Sequence, residues 1–279
     1  MNTTITTTEA VQIRIANDSG KQPVVFVHGL WLLGSSWTAW REYFESQGYS
    51  TVAAEWPGDA ADVEAARADT TNLAGLGVQE ITDHVAEIAR ALTLKPILIG
   101  HSFGGLLVQR VADLGLAAAT VAIDPAPFKG VLPLPPSTLK ASSPVLGNPA
   151  NRKRTVTLTF DQFRYGFANA VSEDEAKALY ETFHVAAPGR PLFQAATANL
   201  SSGKATKVDV TNANRGPLLV VSGENDNIVP FAIANAAYKL QSKNPGVTEI
   251  VEIPGRGHSL TIDSGWKDVA DAALAFVQS

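Results

Sequence analysis

The sequence predicts an α/β architecture: a mostly parallel sheet covered by helices on both faces. Three observations carry this. Short aliphatic runs recur along the 279 residues, several without polar alternation, as in strands covered on both sides. Between the runs, apolar residues step by three and four, the period of a helix. The two patterns alternate along the chain instead of clustering, as they do in βα units.

The predicted strands are "PVVFVHG" (23–29), "YSTVAAEW" (49–56), "KPILIG" (95–100), "ATVAID" (119–124), "PLLVVSG" (217–223) and "TEIVEIP" (248–254). An earlier piece, "AVQIRIA" (10–16), alternates apolar and polar residues and reads as an antiparallel edge strand. Val78, Ile81, Val85, Ile88 and Leu92 share one face of a helix, and Phe103, Leu106, Leu107, Val111 and Leu114 share another. Trp266, Val269, Ala273 and Val277 mark a closing amphipathic helix. Residues 125–149 break the rhythm with seven prolines, which excludes a central strand and an uninterrupted helix. Two candidate capping boxes follow, Thr159 with Gln162 and Ser172 with Glu175. Strand rhythm resumes only near 217. The chain therefore divides into a core (1–127), a mostly helical insertion read as a cap (128–207) and the rest of the core (208–279).

Hydrophobic residues make up 45% of the chain and charged residues 18%, a globular balance. A formal charge of −5 argues against nucleic acid or an anionic membrane as partner, since both select basic patches. No apolar run approaches the roughly 20 residues of a membrane span. The start, "MNTTITTTEAV", lacks the basic and apolar regions of a secretory signal, so the expected compartment is the cytoplasm. Asn2-Thr3-Thr4, Asn17-Asp18-Ser19 and Asn199-Leu200-Ser201 match a glycosylation pattern and are read as chance matches. The basic cluster "NRKRT" (151–155) is read as a solvated face. With no cysteine there is no disulfide, thiolate metal site or thiol nucleophile.

The stretch "LIGHSFGGLL" (98–107) sets Ser102 between a strand and a helix, with Gly100 and Gly104 on either side of the turn. Such a turn raises the hydroxyl at the carboxyl end of the sheet, where ligands of α/β folds bind. A serine hydroxyl is a weak nucleophile, so it needs a base, and the base needs an orienting acid. Of five histidines, His258 in "PGRGHSL" lies in a glycine-flanked loop after the last strand and is the predicted base. His101 should point away from the turn, His84 sits on a helix, His184 falls in the insertion, and His28 should brace its loop. Asp226, just past "LLVVSG", is the predicted acid, with Asp124 at the end of "ATVAID" as its rival. The oxyanion needs two preorganised donors. The backbone N–H groups of Phe103 and of Leu30, in "HGLW", are the candidates.

In this order, "HGLW", "GHSFGG", "GENDNIVP" and "GRGHSL" resemble the α/β-hydrolase fold superfamily. The resemblance implies an eight-stranded, mostly parallel sheet with a helical cap inserted after the sixth strand, a nucleophile elbow at Ser102, an acid at Asp226 and a base at His258. The segment "AEWPGDAAD" departs from the glycine-rich turn usual there, which leaves Trp56–Asp59 without an expected role.

The function expected from these residues is a serine hydrolase of an ester or lactone, needing neither cofactor nor metal. Its partner would be a small, fairly apolar ester-type substrate. Trp31, Phe128, Phe160, Phe163, Phe167 and Phe183 are the candidate pocket residues. A carbon–carbon bond hydrolase and a cofactor-free perhydrolase share the same triad, and a non-catalytic ligand sensor on this fold is the alternative of another class.

Overall fold

A computed structural model describes residues 4–279. Of the three glycosylation matches, the one at Asn2 lies outside these residues. The Asn17 and Asn199 side chains donate to the Ala91 and Val131 carbonyls.

The first element corrects the sequence reading. Residues 10–16 lie within helix α1 (Thr7–Ser19), not an edge strand. Thr6 and Glu9 form a reciprocal capping box that starts a helix here, and Gly20, at φ 63°, ends it. The alternation of Val11, Ile13 and Ile15 was incidental: Ile13 is buried, while Val11 and Ile15 are 42% and 58% exposed. The buried set Glu9, Ile13, Ala16 has helical spacing.

Six parallel strands then build the sheet: β1 (Pro23–Val27), β2 (Ser50–Ala54), β3 (Ile97–His101), β4 (Ala119–Ile123) and, after two short strands described below, β7 (Leu218–Gly223) and β8 (Thr248–Ile253). Their spatial order is β2-β1-β3-β4-β7-β8. Among the described residues the main sheet thus has six strands, not the eight that the resemblance implies. Successive side chains point to opposite faces, and both faces are apolar. Val25, Val27, Leu98, Ala122 and Val220 pack beneath α4 (Val78–Ala91), α5 (Phe103–Asp113) and α10 (Phe231–Gln241). Val24, Phe26, Ile99, Val121 and Val221 pack on Trp37, on α2 (Thr38–Ser46) and on α11 (Trp266–Gln278). There Phe26 stacks on Trp37 and meets Trp40 and Phe44 edge-on. Helix α3 (Val63–Ala68) lies in the connection between β2 and α4.

Between β4 and β7 the chain carries α6 (Pro136–Leu146), β5 (Thr155–Val156), α7 (Phe160–Gly166), α8 (Glu173–Phe183), β6 (Ala187–Pro188) and α9 (Arg190–Ala196). The helical segment therefore follows the fourth strand of the sheet, not a sixth. Its prolines did not exclude a helix: α6 starts on Pro136 and runs through Pro144. Pro144 cannot donate to the Lys140 carbonyl, and the Ser143 hydroxyl does so instead at 2.8 Å. The Thr159–Gln162 capping box is complete. At Ser172 only half of it forms, because the Glu175 carboxylate accepts the Ser264 N–H. Arg152, Lys153 and Arg154 are exposed, as expected of "NRKRT". No described helix is long and apolar enough to cross a membrane.

Candidate active site

Ser102 stands between β3 and α5 at φ 57°, ψ −120°, a left-handed conformation that a non-glycine residue adopts only under constraint. The constraint is visible on both sides. Its N–H donates to the Ile123 carbonyl at 2.9 Å and its carbonyl accepts the Ala126 N–H at 2.9 Å. A methyl group on Gly100 would lie 2.2 Å from the Gly104 carbonyl oxygen, and one on Gly104 2.0 Å from that of Val27. Only glycines allow the turn to close.

The loops after β7 and β8 bring a second pair of residues in. Asp226 and His258 are both buried, and His258 Nδ1 lies 2.6 Å from Asp226 Oδ2. The other carboxylate oxygen accepts the N–H groups of Ile228 and Val229 at 2.6 and 2.9 Å, which fixes the acid's orientation. His258 Nε2 is buried and has no hydrogen-bond partner among the described residues. Its ring packs against His101, centroids 4.6 Å apart, and edge-on to Phe167 at 4.8 Å.

His101 thus corrects an expectation. It does not point away; as the last residue of β3 it lies buried beside His258. Burial holds its imidazole well below the usual range, and the neighbouring His258 adds to the effect. Asp124, the rival acid, is also completely buried, and its Oδ1 accepts the Gly223 N–H at 2.8 Å. Burial, then the adjacent Asp226 charge, pushes its carboxyl well above the usual range. The carboxylate on His258 Nδ1 is that of Asp226.

His101, Asp124 and His258 form the one group, among the described residues, that could offer three ligand atoms to a cation, within 4.8 Å of one another. Two ligands of a tetrahedral zinc lie about 3.4 Å apart at ordinary bond lengths. With His258 and Asp124 already held by Asp226 and the Gly223 N–H, this is a loose group and not a preformed metal centre.

The "HGLW" loop meets Ser102 from the other side. A methyl group on Gly29 would stand 2.7 Å from Ser102 Cβ and 3.3 Å from its Oγ. Neither the Leu30 nor the Phe103 N–H has an acceptor among the described residues. His28 braces this loop, with Nδ1 2.8 Å from the Gly29 carbonyl and Nε2 2.9 Å from Asp59 Oδ2. Asp59 carried no sequence signal, because its partner lies 31 residues away.

Of the candidate pocket residues, three gather at His258. Phe167 touches its ring, Trp31 meets Phe167 edge-on at 5.9 Å, and Phe163 stacks on Phe167 at 5.1 Å. Trp31 is anchored by its indole N–H on the Val156 carbonyl. Phe160 packs against the same cluster, with its ring edge-on to Tyr180, which in turn meets Phe163. Phe128 is buried in the core and Phe183 is partly buried against it; neither has a ring contact with the three. His84 is a satisfied core residue on Glu9, and His184 accepts the Leu158 N–H.

A family model described as the alpha/beta hydrolase family matches residues 24–272. The chain is 30% identical to a non-heme chloroperoxidase of Burkholderia pyrrocinia over 303 aligned positions, covering 99% of both chains. Among solved structures it resembles an extracellular alpha/beta-hydrolase from a Paenibacillus species (TM-score 0.65, 24% identity, 91% of this chain and 98% of that one). It also resembles a monoacylglycerol lipase of Paleococcus ferrophilus (0.63, 23%, 91% and 93%) and a pyrethroid hydrolase from Sphingobium faniae JZ-2 (0.64, 21%, 92% and 98%). At these identities the structural likeness is one of fold.

Proposed function

The chain belongs to the alpha/beta hydrolase family, and from that premise we propose that it is a serine hydrolase cleaving an ester or lactone of a small, fairly apolar molecule. The observation that carries this reading is the buried Asp226–His258 pair at 2.6 Å, its Nε2 unpartnered, packed on the ring of His101, the residue before a serine held on a strained strand-to-helix turn. Ser102 Oγ attacks the carbonyl carbon while His258 Nε2 takes its proton, and Asp226 holds the imidazolium through Nδ1. The negative charge on the carbonyl oxygen is received by the Leu30 and Phe103 N–H groups, the second at the amino terminus of α5. His258 then protonates the departing alkoxide. Water, deprotonated by the same nitrogen, releases the acyl group from Ser102. Segment 128–207 serves as the cap, and Trp31, Phe163 and Phe167 face the apolar part of the substrate.

The test is p-nitrophenol release from acetate, butyrate, octanoate and palmitate esters by the wild type and by Ser102→Ala. The expected result is turnover that vanishes in the variant. Activity surviving the substitution would remove Ser102 from the mechanism.

The 30% identity to a non-heme chloroperoxidase along the whole chain favours a second reading, a perhydrolase. In that reaction hydrogen peroxide replaces water, its oxygen attacks the acyl carbon, and the acyl group leaves as a peracid while Ser102 regains its proton. Acetate plus peroxide, assayed for peracid, separates the two.

A further inference from the structure

Among the described residues there are two buried aspartate–histidine pairs, and only one of them belongs to the proposed triad. The other is Asp59–His28. Nε2 of His28 lies 2.9 Å from Asp59 Oδ2, with both side chains at most 2% exposed. The same Asp59 oxygen accepts the Trp56 N–H at 2.6 Å, and the Trp56 indole stacks on the His28 ring at 4.8 Å, 23° from parallel. The ring is therefore clamped on an edge and on a face. Its remaining polar atom, Nδ1, sits 2.8 Å from the Gly29 carbonyl oxygen.

A carbonyl oxygen only accepts, so Nδ1 must carry a hydrogen. The proton between Nε2 and Asp59 is shared by a carboxyl group and a ring nitrogen, and either way the Nδ1–H is kept. The Gly29 carbonyl thus selects the Nδ1–H, and Asp59 does for His28 one part of what Asp226 does for His258: it holds the orientation of the ring.

The Gly29 carbonyl and the Leu30 N–H are two ends of one planar trans peptide, pointing in opposite directions. Fixing the carbonyl toward His28 aims the N–H the other way. Donation to the carbonyl oxygen also draws electron density from the amide and strengthens the N–H as a donor. Gly29 is the residue of this loop that presses on Ser102, and its lack of a side chain allows the approach. Trp31, next along, sits at φ 66°, so the loop holds a constrained turn at this point.

We propose that the Asp59–His28 pair is a positioning device for the oxyanion donor, orienting and polarising the Gly29–Leu30 peptide while the Asp226–His258 pair serves the nucleophile. His28 and Asp59 do not touch the reacting atoms and act through the peptide. This inference rests on the serine-hydrolase reading above.

Two substitutions divide the ring between its nitrogens. In His28→Asn the amide nitrogen occupies the place of Nδ1 and can donate to Gly29, but the Asp59 contact is lost. In His28→Gln the terminal amide occupies the place of Nε2 and keeps Asp59, but the Gly29 contact is lost. The readout is the rate at which a fluorophosphonate labels Ser102, followed by intact mass, together with kcat and KM on the best p-nitrophenyl ester and the melting temperature. The expected result is a loss of labelling rate and kcat of about 10- to 100-fold in His28→Gln, below the ceiling for deleting a whole oxyanion donor. KM should barely change. His28→Asn should stay within about three-fold of wild type while melting at the lower temperature, since it leaves buried Asp59 without its partner. A merely structural role reverses that order, with activity following stability. In addition, nitrogen-15 spectra of the wild type should show His28 Nδ1 protonated. Equal labelling of wild type and His28→Gln, or an unprotonated Nδ1, overturns the proposal and leaves Ser102 in place. A wild type that resists labelling as Ser102→Ala does overturns the serine reading, and the proposal with it.

Discussion

Asp226 and Asp124 show how position decides the roles of two identical side chains. Both end parallel strands, and both are buried. Asp226 spends its oxygens on His258 and on two backbone N–H groups. For Asp124, burial first and then the neighbouring Asp226 raise the folded pKa from 3.8, and its one backbone N–H partner, from Gly223, only partly offsets this. A raised group contributes stability below its unfolded pKa, and that contribution is lost as pH rises through its folded value. At pH 8 the wild type therefore carries the cost of this buried acid. Asp124→Asn does not titrate and can donate to Asp226. It should melt a few degrees above wild type at pH 8, with the gap closing as pH falls toward 4. A gap independent of pH would contradict the assignment. At this scale the sequence was informative about placement: Ser102 between a strand and a helix, and Asp226 and His258 in loops past strands, where the two meet. It was silent on Asp59 and misplaced His101, because those contacts arise only when separate strands are laid side by side.

At the scale of elements, α1 is the place where periodicity misled. Three apolar residues at every second position suggest a strand, but a capping box outweighs so short an alternation. What holds α1 to the sheet is Glu9, which is completely buried. Its carboxylate accepts from the Glu55 and Thr6 N–H groups and lies 2.9 Å from His84 Nε2 on α4. Glu9→Ala would strand these partners at once. The expected cost is about 3–5 kcal/mol of unfolding free energy in a denaturant titration. A cost below 1 kcal/mol would show that α1 is dispensable to the core. Helix α6 makes the same point from the other direction: seven prolines argue against a helix, yet Ser143 supplies the donor that Pro144 lacks.

Across the whole molecule, all six strands of the parallel sheet were legible, since strands buried on both faces must be apolar throughout. The count implied by the resemblance was not, because a superfamily's strand number does not bind each chain. Stability of the whole also depends on buried histidines. His184, between β4 and β7, accepts the Leu158 N–H at 3.3 Å, a task for the neutral ring. Burial, then Arg67, lowers its pKa to about 4. A lowered group contributes stability above its unfolded value of 6.5, lost as pH falls toward 4. His101 acts with the same sign. The melting temperature should therefore drop between pH 6.5 and 4, and less steeply in His184→Gln, whose side-chain oxygen can accept the same N–H. Parallel slopes would contradict this account.

The central claim is that Ser102 is the nucleophile and that His258, held by Asp226, activates it. The most direct measurement is peptide mapping by mass spectrometry after exposure to a fluorophosphonate. The account predicts one adduct, on Ser102, formed at least 100-fold more slowly in His258→Ala. An adduct on another residue, or labelling of Ser102 at an unchanged rate without His258, would contradict it.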